Sequence, residues 1–414
     1  LSEQKTRSAS VASLAPIERK ITLYRSNIST PLIKRGRLLR QASAIGASAV
    51  LLVAMTACST VGSSSGNVAS GSSGSSDCGS ADEQAAITAA ANGRTLKVGF
   101  TPPILSEWYT QVEKAAFNRM NELEECYGVN WEWARQGALN DAHSGVEAVG
   151  IVENFISNKF DAVFVCSAAP HATMQEIYKA GSEAGVDFYQ FNSTEELENP
   201  SQADDPTAGL SAVSNIGYDD RWQSGYVAGQ YLAKALNGEG QIIQILGPSG
   251  SDWTKLREQG FNAAIAEFPG LKIVGSADGG YVRDKGLTAA QDLLTKFPDV
   301  AAIYGENEDM ALGASQAIDL AGLSHWDGES GIITIGADGL ISGMDSIRDG
   351  KLTATVDVNS VEIGTTMIDT LFNHEILGMS VSPFISVPTV VVDSTNVDWA
   401  QAKIAAALAG PGKY

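Results

Sequence analysis

The chain has 414 residues, with 28 Lys and Arg against 48 Asp and Glu, a net charge of −20, and 44% hydrophobic residues. That balance excludes a nucleic-acid-binding role, which needs a basic face, and it suits a soluble body that its own charge keeps monomeric. His143, His171, His325 and His374 are the only histidines and show no Cys/His spacing of a zinc site, so neither a metal nor a cofactor is expected.

Residues 1–57 read as a leader. Lys34, Arg35, Arg37 and Arg40 form a basic segment, Ala42 to Ala54 an apolar run, and Met55-Thr56-Ala57-Cys58 the small residues before a cut. These are the three parts of a secretory signal, and the run is shorter than the roughly 20 apolar residues of a spanning helix. The last four residues resemble a bacterial lipoprotein box, which implies lipidation at Cys58 and attachment to the outer face of the cytoplasmic membrane, at the cell surface or in the periplasm. An ordinary cleaved signal is the alternative. The chain has no Met before Met55; Leu1 as an alternative start codon read literally and a start near residue 32 both remain open. Residues 58–94 follow as a Ser/Gly-rich tether, too poor in apolar surface to offset its ordering entropy. Without the leader the balance is 19 basic against 46 acidic residues, a net of −27.

Three cysteines remain beyond Cys58. Export permits disulfides, and Cys166 lies in the apolar run Ala162-Val163-Phe164-Val165-Cys166, where a buried thiol acts as a small hydrophobe. This favours a Cys78–Cys126 pair; three reduced thiols is the alternative.

From Thr95, short β-rich runs alternate with amphipathic stretches. Strands are expected at Leu96–Phe100, Val129–Trp133, Ala162–Val165 and Asp187–Phe191, with helices at Trp108–Cys126, Gly145–Asn158 and Met174–Ala184. The uninterrupted apolar run Ala162–Val165 is typical of a parallel sheet covered on both faces. The pattern then restarts. Helices are expected at Tyr218–Leu236, Trp253–Glu267, Gly286–Lys296 and Met310–Ala321, around strands at Gln241–Leu246, Lys272–Gly275, Ala301–Tyr304 and Gly331–Gly336. Two doubly wound α/β units imply two lobes. Ligands bind outside the carboxyl ends of such strands, so two facing lobes direct two sets of strand ends into one cleft.

In the second unit, Leu246-Gly247-Pro248-Ser249-Gly250, Arg257-Glu258-Gln259-Gly260-Phe261, Gly305 to Ala314, Ile335-Gly336-Ala337-Asp338-Gly339 and Ile347 to Val356 occur in order. They resemble the periplasmic sugar-binding proteins related to ribose-binding protein. The resemblance covers roughly residues 95–395. It implies the type I periplasmic binding protein fold, two doubly wound parallel-sheet lobes joined by a three-crossover hinge. It places residues 95–217 plus 358–388 in the N-terminal lobe and 218–357 plus 389–414 in the C-terminal lobe. It also implies capture of a monosaccharide or related polyol and delivery to an ABC permease and its ATPase subunit.

Carried over by position, the family's site residues fall as follows. Ser106, Trp108 and Tyr109 stand where a polar residue and two aromatics sandwich a sugar, whose C–H face packs on a ring; core packing is the alternative for both rings. Asn192-Ser193 replace a charged pair. Asp252 and Trp253 face the cleft, and Lys255 and Arg257 compete for the place of the family's arginine. Tyr281 matches a stacking aromatic, while Asn307 and Asp338 match an amide and a carboxylate able to hold vicinal hydroxyls, with turn or cap chemistry as the alternative. Asp357 or Asn359 substitutes for a hinge Gln.

An enzyme is disfavoured. Gly247-Pro248-Ser249-Gly250-Ser251 lacks the spacing of a nucleophile elbow and has no nearby His, leaving a two-carboxylate glycoside hydrolase as the enzymatic alternative. A receptor serving a membrane kinase or chemoreceptor is the nearer one. The ligand's identity among pentoses, hexoses, deoxysugars and polyols is not encoded legibly.

Overall fold

The computed structural model describes residues 78–137, 145–166, 171–192, 212–218, 221–249 and 251–410; Cys58 and Ser193 lie outside them. Strands β1 (Thr95–Thr101), β2 (Asn130–Arg135), β3 (Ala162–Val165), β4 (Asp187–Phe191), β5 (Ser214–Tyr218) and β11 (Phe384–Val387) form one parallel sheet in the order β11-β5-β4-β3-β1-β2. The second sheet contains β6 (Glu239–Leu246), β7 (Gly270–Asp278), β8 (Ala302–Gly305), β9 (Ile333–Asp338), β10 (Ala354–Asp357) and β12 (Val390–Asp393), in the order β12-β10-β9-β8-β6-β7. Only its edge strand β12 runs antiparallel, against β10. The four residues of β3 are all buried, as parallel strands covered on both faces must be.

The chain leaves the first sheet after Tyr218, returns from Asp357 to β11, and crosses again between Val387 and Val390. In both sheets the strand order reverses beside the first strand, between β1 and β3 and between β6 and β8. At such a switch point the loops leave in opposite directions and open a crevice at the carboxyl ends.

The helices are α1 (Ala81–Ala91), α2 (Glu107–Tyr127), α3 (Gly145–Ser157), α4 (His171–Ala184), α5 (Arg221–Ala235), α6 (Asp252–Ala266), α7 (Arg283–Lys296), α8 (Glu308–Leu320), α9 (Ile341–Arg348), α10 (Ser360–Glu375) and α11 (Val397–Leu408). Two sequence expectations are corrected here. Tyr218 ends a strand rather than opening a helix: β5, Ser-Asn-Ile-Gly-Tyr, is fully buried although its polar composition carries no strand alternation. Tyr218 therefore belongs to the first sheet. The segment 58–94 is also not tether throughout, because α1 lies within it. Ser80 and Glu83 form a reciprocal capping box at its start, which satisfies two otherwise orphaned amides. Cys78 is joined to Cys126 at the end of α2, with Cα atoms 5.3 Å apart, and Cys166 is a buried free thiol.

Helices α5 and α6 meet through glycines. A Cβ on Gly225 would lie 2.0 Å from the Arg257 carbonyl oxygen, and one on Gly260 1.9 Å from that of Trp222. The backbones are therefore close enough to fix where α6 carries Arg257. Replacing Gly225 with Val should force the helices apart and cost about 1–3 kcal/mol, the usual penalty of overpacking. Gly150→Ala in α3, where an added Cβ meets nothing within 4 Å, should instead stabilise by about 0.4–1 kcal/mol. Urea denaturation of both variants checks the contrast.

Candidate functional site

A cavity of about 800 Å³ lies where the carboxyl ends of the two sheets meet. From the first lobe it is lined by Ser106, Trp108 and Tyr109 at the start of α2 and by Asn192 after β4; from the second, by Trp253, Arg257, Tyr281, Asn307 and Asp338. Nine of the sequence candidates thus converge.

The aromatic wall is built in layers. Trp108 and Tyr109 are nearly buried and meet edge to face, 4.9 Å between centroids, and Tyr109 meets Phe191 likewise at 6.0 Å. The Tyr109 hydroxyl lies 3.4 Å from Cys166 Sγ and accepts from Asn192 Nδ2 at 3.4 Å. Tyr109 therefore both lines the cavity and anchors the core. Trp108 Nε1 donates to the Asp338 carbonyl across the lobes at 3.1 Å. Opposite stands Tyr281, in the left-handed backbone region at φ 61°, which an aromatic residue adopts only when its surroundings hold it there. Its hydroxyl pairs with Thr254 Oγ1 at 3.0 Å. Gly247 makes room for it, since a Cβ there would lie 2.2 Å from the Tyr281 ring. Trp253 packs against the first-lobe core from the second lobe.

Of the two basic candidates, Arg257 lines the cavity and Lys255 does not. Its guanidinium is 8% exposed and donates to the Glu306 carbonyl at 2.5 Å, to Tyr218 Oη at 3.1 Å and to Asp338 Oδ1 at 3.4 Å. Lys255 is exposed and faces a separate, smaller recess beyond the cleft, with Glu258 and Asp278. Asn307 serves twice, capping α8 by accepting from Met310 N at 3.0 Å while lining the cavity. Two wall atoms, Arg257 Nε and Asn192 Oδ1, are buried without a hydrogen-bond partner among the described residues.

Asp357 and Asn359 stand apart from the cavity, in the hinge. Asp357 is buried and ion-paired with Lys403 at 3.0 Å, and Lys403 also donates to Asn359 Oδ1 at 2.8 Å. Asn359 Nδ2 donates to the Pro388 carbonyl at 3.2 Å, tying two crossings together. Their hydrogen-bonding capacity is thus spent on the hinge.

Several cleft residues escape a sequence reading. Tyr218, Glu107, Arg283 and Asp309 all line the cavity. Ser342 N and Oγ donate to Glu107 across the lobes at 2.9 and 2.8 Å, and Arg283 holds Asp309 at 2.7 Å. The only signal available was polarity at helix starts that follow strands.

Burial dominates the electrostatics. It pushes Asp338 up to about 7, with Arg257 opposing, and pushes Glu306 and Glu308 each up to about 8. Glu306 accepts from Gly247 N at 2.7 Å; Glu308 accepts from Gly339 N at 2.8 Å and from Leu340 N at 3.2 Å. These carboxyl groups brace the two loops that carry the site.

A model of the periplasmic binding protein domain matches residues 98–376. The chain is 34% identical over 158 residues to the ribose import binding protein of Escherichia coli, covering 38% of this chain and 51% of that protein. It is 24% identical over 315 residues to the xylitol-binding protein of Mycolicibacterium smegmatis, covering 74% and 80%. The chain spans about half the length of the ribose-binding relatives it matches. An ABC transporter solute binding protein from Bacillus halodurans with bound myo-inositol superposes with a TM-score of 0.62, 24% identity, and coverage of 74% of this chain and 98% of that one. The two parallel-sheet lobes are those of type I periplasmic binding proteins.

Glu308 gives the electrostatics a test. An acid whose pKa the fold raises above its ordinary 4.5 favours folding below that value and loses this contribution as pH rises through about 8. The melting temperature should therefore fall from about pH 5 to about pH 8 and level off above that. Glu308→Gln keeps an acceptor for the two amides but cannot ionise, so it should flatten the alkaline part of that fall. An unchanged slope in a pH series of thermal melts would show that Glu308 ionises freely in the fold.

Proposed function

We propose that this chain, which belongs to the periplasmic binding protein domain family, captures a monosaccharide or related polyol between its lobes outside the cytoplasm and delivers it to an ABC importer. One observation carries the reading. Trp108 and Tyr281 face one cavity from opposite lobes, beside Asn192, Asn307 and Asp338 at strand ends and Arg257 on α6. Aromatic faces take the C–H side of a sugar ring, and the amides, guanidinium and carboxylate take its hydroxyl edge. The names of the relatives, which cover ribose and xylitol, support the same ligand class. The arrangement favours binding: Asp338 is paired with Arg257 at 3.4 Å and Asp309 with Arg283 at 2.7 Å, so two of the wall's carboxylates are held in ion pairs.

The finer parts of the proposal rest on sequence. The basic segment, apolar run and Cys58 support export and lipidation, holding a monomeric body at the outer face of the membrane beside its permease and ATPase. Among the described residues no helix is long and apolar enough to cross a membrane.

A thermal-shift screen of sugars and polyols followed by calorimetry tests the site. Asp338→Ala removes a charged acceptor from a closed cleft, a loss of about 1.5–3 kcal/mol, or roughly ten- to a hundred-fold in affinity. Trp108→Ala should weaken every ligand through lost apolar contact, while Asp338→Asn should re-rank ligands that differ in one hydroxyl. Wild-type affinity in folded Asp338→Ala and Trp108→Ala would place the ligand elsewhere. A separate experiment addresses the anchor: growth with a radiolabelled fatty acid should label the wild type and leave Cys58→Ala unlabelled, and label in both would refute lipidation at that residue.

A further inference from the structure

At the end of the first lobe remote from the cleft, Asp187 at the start of β4 meets His374 and Glu375 at the end of α10. One ligand atom from each lies within 4.8 Å of the other two. Five residues of β4, rising about 3.3 Å each, separate this cluster from Asn192 and the cavity. We propose that Asp187, His374 and Glu375 form a binding site for one divalent transition ion of the Zn²⁺ class, independent of the sugar cleft.

The chemistry of the facing atoms carries the proposal. His374 Nδ1 lies 3.3 Å from the Met379 carbonyl, an acceptor that fixes the proton on Nδ1. The other ring nitrogen faces Asp187 Oδ2 at 3.2 Å, a gap in which a metal ion could take the place of a proton. A backbone carbonyl on the remote nitrogen is also the usual second support of a metal-bound imidazole. Glu375 adds a second carboxylate. Arg94 engages its Oε2 at 3.1 Å, while its Oε1 is buried with no hydrogen-bond partner among the described residues. Arg94 also reaches Asp161 at 3.6 Å, so its single charge is shared between two carboxylates.

Tyr189 supplies an independent observation. It follows Asp187 by two residues and so lies on the same face of β4. Its side chain is fully buried, its ring stands edge-on to that of His374 at 6.4 Å, and its hydroxyl has no hydrogen-bond partner among the described residues. A buried hydroxyl beside ligating carboxylates can supply the hydrogen-bond support that metal ligands require. One imidazole and two carboxylates match Zn²⁺, which takes N and O ligands at about 2.0–2.2 Å and leaves a position for water. Asp187 and His374 are 41% and 35% exposed, so the ion has a path from solvent.

Calorimetry of chelator-treated protein with ZnCl₂ should show one saturable site per chain. His374→Ala and Asp187→Asn should each weaken it at least ten-fold, and Tyr189→Phe should weaken it less. Co²⁺ in place of Zn²⁺ should give a visible absorption band that His374→Ala abolishes. Both ligand variants change part-exposed side chains, and circular dichroism confirms their fold; either one alone suffices for the comparison. Absence of saturable binding, or an affinity and Co²⁺ band unchanged in the variants, overturns the proposal and leaves the cluster as a hydrogen-bonded clasp between α10 and β4.

Discussion

A guanidinium taken out of water must have its charge and donors met, and the way Arg257 is met organises the cleft. Its partners come from three strand ends: Tyr218 closes β5 of the first sheet, Glu306 follows β8, and Asp338 ends β9. Removing any one of them would leave a buried charge short of compensation, which costs more than the pair contributes when intact. The same residue therefore draws the two lobes together behind the cavity and orients the Asp338 carboxylate that lines it. The glycine contacts between α5 and α6 belong to this arrangement, because they set the depth at which α6 presents Arg257.

Around that centre, the contacts between lobes divide into two kinds. In the hinge, Asp357, Asn359 and Lys403 form a part-buried polar clasp whose partners lie on α11 and beside the last crossing. At the start of α2, Glu107, Trp108 and Gln111 reach the loop after β9. Gln111 donates to the Gly339 carbonyl at 3.0 Å and accepts from Ile341 N at 2.8 Å. These bonds go to backbone groups of a loop that Glu308 holds from below. On the proposed reading, a ligand held by Asp338 would press on an element that both lobes already share, which would couple occupancy of the cleft to the relative position of the lobes.

Much was legible in the chain alone. Alternating apolar runs and amphipathic stretches placed most strands and helices, because burial on both faces of a parallel sheet leaves a continuous apolar signature, as in Ala162–Val165. The blocks around Asn307 and Asp338 located strand ends, and topology directs strand ends to a crevice. β5 was hidden: Ser214, Asn215 and Gly217 are polar or small, and they are buried because neighbouring strands satisfy their backbone. α1 was hidden too, by the Ser/Gly-rich residues before it.

What the sequence determined by itself is the set of local choices: periodicity, caps, strand composition, and which residue types stand at the loop positions of the cleft. What only the tertiary structure decided is which of those residues share a cavity. Lys255 and Arg257 differ by two positions on one helix, and that rotation sends one to solvent and buries the other. Asp357 and Asn359 carry suitable chemistry but spend it on Lys403, a partner more than 40 residues away in the chain. Asp187 meets His374 and Glu375 only because α10 returns to the first lobe after the second crossing. Such pairings depend on distances that exist after folding, when residues far apart in sequence compete for the same buried partners.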